Sequence, residues 1–166
     1  MALESPEEMR ALQALLDRSM AAAGPHLRSI ADQMPRARAE TLVDLLPGMQ
    51  TIDLATVTAH GEPRVAPVDG HFLKGRWYFG SAAESVRAGH LAARPSASVA
   101  HTRGEGVCVV VHGRVEAVSL RDPASAWFLD RLRSVYPGFD DWDFLDNPYW
   151  TLHPTHMYAR IPSEDS

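Results

Sequence analysis

The chain has 166 residues, 45% hydrophobic and 22% charged, with 16 Lys and Arg against 21 Asp and Glu for a net charge of −5. That length suggests one domain able to bury a real core, and the apolar share excludes wholesale disorder. The net acidity argues against a dedicated nucleic-acid binder, which carries a basic surplus. The single cysteine, Cys108, excludes an internal disulfide and a cysteine-based zinc site, and it reads as a reducing compartment.

The opening Met1-Ala-Leu-Glu-Ser-Pro-Glu-Glu is acidic and lacks the basic-then-apolar order of a signal peptide. The longest apolar run, Val107 to Val111, falls far short of the roughly 20 residues a spanning helix needs. A cytoplasmic protein with no membrane or nucleic-acid partner is the expectation.

Helical patterning comes first. Ser5-Pro-Glu-Glu reads as an N-cap, a proline in the first turn and two acids facing the helix dipole. Met9, Leu12, Leu15, Leu16 and Met20 then recur at three- and four-residue spacing, a stripe read as a packing face. Gly24-Pro25 ends that helix; a second is expected over His26–Met34 and a third over Pro35–Leu46.

Strand patterning follows. Thr51 to Thr58 is rich in β-branched residues, and Ala59-His-Gly-Glu-Pro is a turn. Arg64 to Val68 resumes a strand, in which Pro67 suggests an edge or a bulge. Leu73-Lys-Gly-Arg is a tight hairpin turn, with Gly75 free to take positive φ. Trp77–Gly80 is a third strand, Glu84–Ala93 a short helix capped by Ser81 or a neighbour, Pro95–His101 a fourth strand and Gly106–Val118 a fifth. The fifth is apolar on both faces in its middle, as for a barrel strand covered on its outside. Asp122-Pro-Ala opens a helix whose apolar side is Trp127, Phe128, Leu129, Leu132 and Val135, and Trp150 to Arg160 closes as a last strand. Antiparallel strands with short turns and one helical crossover predict a small barrel.

Eight histidines invite a metal reading, but they form no HExxH and have no cysteine partners. His153 and His156, the closest pair, point to opposite faces of an extended strand; no metal site is assigned. A haem needs only one placed histidine, which spacing cannot show. GxSxG is absent, and Cys108 sits inside an apolar strand as inert core. No catalytic side chain is assigned. The informative segment is Gly80 to Leu91, which sets Ser81, Ser85 and Arg87 at a strand-to-helix junction. Backbone N–H groups at a helix start, with hydroxyls and a guanidinium, make a phosphate site; an N-cap beside a solvated arginine is the equal alternative.

Three ordered segments, Asp53 to Val68, Gly75 to Ser81 and Ser85 to Val99, resemble the pyridoxamine 5'-phosphate oxidase-like split-barrel superfamily, including its flavin/deazaflavin oxidoreductases. Trp150-Thr-Leu-His-Pro-Thr-His-Met-Tyr is similar to the closing segment of the branch that binds the deazaflavin coenzyme F-420. The fold class expected is therefore α+β, mainly β: a split β-barrel of about six antiparallel strands with flanking helices, residues 1–48 an N-terminal helical extension and 49–166 the cofactor-binding barrel. The resemblance implies F-420 or FMN as cofactor, with haem ranked behind both. It also implies hydride transfer to or from a small organic substrate, and a homodimer with the site at its interface. A haem- or flavin-binding barrel without turnover is the alternative. Carried over by position, Arg64, Ala66 and Pro67 line the cleft, Ser81 and Arg87 contact the phosphate, and His90 stands where the family often has Asn; Ser85, of the same junction, is counted with the cofactor-binding residues. Trp150 and His153 are expected to reach the partner's site. Arg64, Arg87, Arg94 and Arg103 form the basic groove that suits the acidic tail of the deazaflavin.

Overall fold

A computed structural model of the chain describes residues 4–31, 36–141 and 145–161. Its first helix, α1 (Pro6–Ala21), starts on a complete capping box: the Glu8 N–H donates to Ser5 Oγ (3.2 Å) and the Ser5 N–H to Glu8 Oε2 (2.7 Å). Leu12, Leu15 and Leu16 bury as the stripe predicts, in the same apolar cluster as the barrel interior. Ser19 is buried too. Its hydroxyl donates to Leu15 O (2.7 Å) and accepts the Met157 N–H (2.9 Å), clipping α1 to the last strand.

Helix α2 (Pro25–Ala31) begins one residue ahead of the expected start, and the expected end at Met34 lies outside the described residues. Helix α3 is Ala39–Leu45, shorter than the expected Pro35–Leu46. The capping is remote from the chain start: Gln13 Oε1 accepts the Ala39 N–H (2.9 Å) while its Nε2 donates to Ala37 O (3.4 Å). Arg38, at φ −100° and ψ 141°, is extended.

Six antiparallel strands close a barrel: β1 (Met49–Val57), β2 (Pro63–Leu73), β3 (Arg76–Gly80), β4 (Ser96–Arg103), β5 (Val107–Val118) and β6 (Tyr149–Arg160), in the order β1-β2-β3-β6-β5-β4. The expected fold class holds: mainly β, with flanking helices. Inward residues alternate with outward ones, so Ile52 and Leu54, Val99, Val107, Val109 and Val111, and Leu152 and Met157 fill the interior. The β2–β3 turn has both central residues at positive φ, Lys74 at 53° and Gly75 at 73°, which matches the twist of the flanking strands.

Pro67 sits in unbroken register opposite Asp53, with no bulge. The edge reading is the correct half of that expectation, because β3 pairs only with Gly70–Leu73. The first half of β2 therefore has a neighbour on one side alone, where a missing N–H costs nothing. The middle of β5 departs from expectation. Val107, Val109 and Val111 are buried, but outward Cys108 and Val110 are half-exposed, so the described residues do not fully cover that wall.

Helix α4 (Val86–Ala93) crosses from β3 to β4. It starts two residues later than expected because Ser85, rather than Ser81, caps it. After a 3-10 turn over Pro123–Ser125, capped by Asp122, helix α5 (Ala126–Val135) buries Phe128 and Leu132 in a second cluster with Leu73, Tyr78 and Tyr149. No described helix is long and apolar enough to cross a membrane.

Candidate functional site

The one-sided half of β2 forms a wall of a cavity of about 450 Å³ between β1, β2 and α4. Antiparallel register pairs Thr56 with Arg64 and Leu54 with Ala66, so these four residues share one face. All four line the cavity, and Ser85, Arg87 and His90 close it from α4.

Ser85 builds this corner. Its Oγ accepts the Ala88 N–H (3.1 Å) as helix cap and lies 2.8 Å from Ser81 Oγ. Arg87 Nε donates to the same Ser81 hydroxyl (3.3 Å). A half-buried guanidinium, two hydroxyls and a helix start thus converge on one point, and Arg87 has no carboxylate partner among the described residues. That donor set suits a phosphate: charged, hydroxyl and backbone donors with no carboxylate bonded to Arg87 among the described residues. Across the cavity the Thr56 hydroxyl lies 3.0 Å from His90 Nδ1, which fixes the ring on β1 and leaves Nε2 unengaged among the described residues.

Five of the expected site residues line the cavity, namely Arg64, Ala66, Ser85, Arg87 and His90, and Ser81 supports two of them. Pro67 and Trp150 stand apart. Pro67 alternates to the opposite face of β2 from Ala66 and is exposed, whereas Trp150 is buried and stacks on Phe79 with ring centroids 6.2 Å apart. His153 is held on the outer wall between Arg76 and Glu116.

The basic groove is narrower than expected. Arg94 Nε donates to Val57 O (2.8 Å), and Arg103 is spent on Leu45 O, Gln50 Oε1 and His101. Neither lines the cavity. Arg64 does, but its guanidinium pairs with Glu62 (2.7 Å). Of these four arginines Arg87 alone is left, among the described residues, to meet a ligand. Thr56 and Leu54 are cavity residues that the sequence reading missed; pairing β1 against β2 through the Ala59–Pro63 turn would have found them.

Elsewhere, His71 is buried with Nε2 3.2 Å from the Tyr136 hydroxyl, which donates to Asp69 Oδ2 (3.1 Å). Burial, helped by the Arg131 charge, lowers the His71 pKa to about 4, and burial followed by the Asp69 charge raises the Tyr136 phenol. This cluster under α5 lines neither cavity. A further cavity, about 460 Å³ between α1, α2 and β6, is lined by Leu16, Met20, Arg28, Arg36 and Arg160 among others. No group of three or more His, Cys, Asp or Glu capable of holding a metal occurs among the described residues.

A closed six-stranded antiparallel barrel with one helix crossing from β3 to β4 is a split-barrel architecture. The family described as pyridoxamine 5'-phosphate oxidase matches residues 39–146, and the chain belongs to it. Curated proteins give no match. Among solved structures the chain is similar to an F-420 reductase (22% identity, 69% of this chain and 93% of that one, TM-score 0.52). It is also similar to a FAD-binding protein from Mesorhizobium loti (21%, 76% and 96%, TM-score 0.60). A third is a haem-binding protein from Mycobacterium smegmatis (19%, 69% and 50%, TM-score 0.56). The chain thus spans about half the length of that last protein, as it does of the Agrobacterium tumefaciens protein Atu2129 (53%).

Proposed function

We propose that the β1–β2–α4 cavity binds the phosphate-bearing end of the deazaflavin F-420 or of FMN, and that the protein is an oxidoreductase passing a hydride to or from a small organic substrate. The observation that carries this reading is the convergence on the start of α4 of Ser81, Ser85 and an Arg87 that has no carboxylate partner among the described residues. A flavin or deazaflavin supplies the hydride chemistry when bound. Arg87 neutralises the phosphate; the two serines and the first N–H groups of α4 complete its hydrogen bonds. Arg64 and Ala66 form the β2 wall, and His90, fixed by Thr56, presents Nε2 as a donor or acceptor to the cofactor. The similarity to an F-420 reductase favours the deazaflavin.

The reading includes a cytoplasmic homodimer with the site at its interface. The outer wall beside the cavity carries half-buried Ala55, Ala100, Val110 and Tyr158, and Val65 at 65% exposure. An apolar wall of this kind is what a second copy would cover. Pro67 lies on that face.

The test is a spectroscopic titration of purified protein with FMN, F-420 and haem, followed by turnover with enone and quinone substrates. A Kd below roughly 100 µM, about −5.5 kcal/mol, for F-420 or FMN supports the assignment; no binding of either removes it. The haem-carrier alternative rests on His90, one cavity histidine with a free Nε2. It predicts a Soret band that disappears in His90→Ala, with no turnover.

A further inference from the structure

We propose that His112 of β5 and His156 of β6 form a chelating pair for a divalent cation of borderline softness, namely zinc, copper(II) or nickel, on the outer wall of the barrel. The two residues are direct register partners, at the point where the β5–β6 pairing shifts between His112 and Gly113. Their inward neighbours Val111 and Met157 are buried while both histidines are exposed, so both side chains leave the same outer face. Side chains directly opposite on antiparallel strands have Cβ atoms about 4.5–5.5 Å apart. Each ring is to present its Nε2 to a shared ion at the roughly 2.0–2.1 Å of a metal–imidazole bond.

The hydrogen bonds around the pair prepare it for this role. Thr155 has one hydroxyl proton, and it donates that proton to His112 O (3.0 Å). The Thr155 hydroxyl oxygen, 3.2 Å from His156 Nδ1, therefore accepts from that ring. The His156 proton is thereby held on Nδ1 and the lone pair on Nε2, the form that binds a metal. Ser98 Oγ lies 2.8 Å from His112 Nδ1, and a metal on Nε2 sets that contact as Nδ1–H donating to the hydroxyl. A hydroxyl on the non-coordinating nitrogen is the supporting contact that metal-binding histidines require. Neither Nε2 has a partner among the described residues. Tyr158 steadies both rings, stacked on His156 (13° between planes, centroids 6.4 Å apart) and edge-on to His112 (6.4 Å). Two neutral nitrogens without a carboxylate select borderline ions over calcium or magnesium. Water completes the coordination.

The experiment uses tag-free protein in its native oligomeric state, stripped with a chelator and titrated with zinc by calorimetry and with copper(II) by electron paramagnetic resonance. The expected result is one ion per chain, with copper hyperfine structure from two imidazole nitrogens. His112→Ala and His156→Ala should each weaken zinc binding at least tenfold, and Thr155→Val by about tenfold. Thr155→Ser should restore native affinity, and His60→Ala should change nothing. Zinc affinity that survives either histidine substitution overturns the proposal, as does a copper spectrum without two-nitrogen coupling. Both histidines are exposed in the single chain but touch Tyr158 of the wall assigned above to a second copy, so melting temperature and oligomeric state are read together, and both are expected to stay native in the two variants. If either misfolds, His→Asn at the same position carries the same predictions.

Discussion

Ser85 has two separable duties, and a pair of substitutions distinguishes them. Its Oγ accepts the Ala88 N–H at 3.1 Å and touches Ser81 Oγ at 2.8 Å. Ser85→Ala removes the cap of α4, at a cost of about 1 kcal/mol, which in a chain of this size lowers Tm by about 2–4 °C. Ser85→Asp retains a capping oxygen and so keeps the helix, but it sets a carboxylate where the cofactor phosphate is expected. Two unit charges about 4 Å apart at an effective dielectric of about 20 repel by about 4 kcal/mol, on the order of a thousandfold in affinity. Differential scanning fluorimetry reads the first effect and FMN or F-420 fluorescence titration the second. The Asp variant should melt like the native protein and bind at least a hundredfold more weakly. Native cofactor affinity in Ser85→Asp would refute the phosphate corner, and an unchanged Tm in Ser85→Ala would refute the capping role.

Other substitutions test the frame around the site. Ser19→Ala leaves the buried Met157 N–H without its acceptor and should cost about 1–3 kcal/mol in urea unfolding. Gly113→Ala places a Cβ 2.1 Å from His153 O, a backbone atom that cannot turn aside; about 3 kcal/mol of destabilisation is expected. His71 titrates from 6.5 when unfolded to about 4 when folded, so the unfolded state binds the extra proton. Its stabilising contribution is complete above pH 6.5 and is lost as pH falls toward 4, on the order of 3 kcal/mol. Urea midpoints of His71→Gln should fall less steeply over that window; equal slopes for native and variant would contradict the assignment.

Much of this structure was legible from local chemistry. Ser5 with Glu8, Asp122 before Pro123, and Lys74-Gly75 each carry the side chain or backbone freedom that their cap or turn requires, and each acts as expected. The misreadings involve partners distant in sequence. The start of α3 depends on Gln13, 26 residues away. The expected start of α4 at Glu84, capped by Ser81 or a neighbour, gives way to a start at Val86 capped by Ser85, which only the path of the chain out of β3 decides. In the site, one segment held Ser81, Ser85, Arg87 and His90 together, so its chemistry was visible. Thr56 joined through cross-strand register, and Arg94 and Arg103 were lost to it because backbone carbonyls far along the chain take their guanidiniums. The His112–His156 pair was invisible for the same reason, since its members lie 44 residues apart and meet only across β5 and β6.

The central claim is that Arg87 and the serine pair hold a cofactor phosphate at the start of α4. Titration of the native protein and Arg87→Ala with F-420 and FMN tests it directly. Loss of a charged hydrogen bond, about 1.5–3 kcal/mol, predicts affinity weakened by roughly ten- to a hundredfold, with Tm unchanged because Arg87 makes no ion pair among the described residues. Equal affinity in the native protein and Arg87→Ala would contradict it.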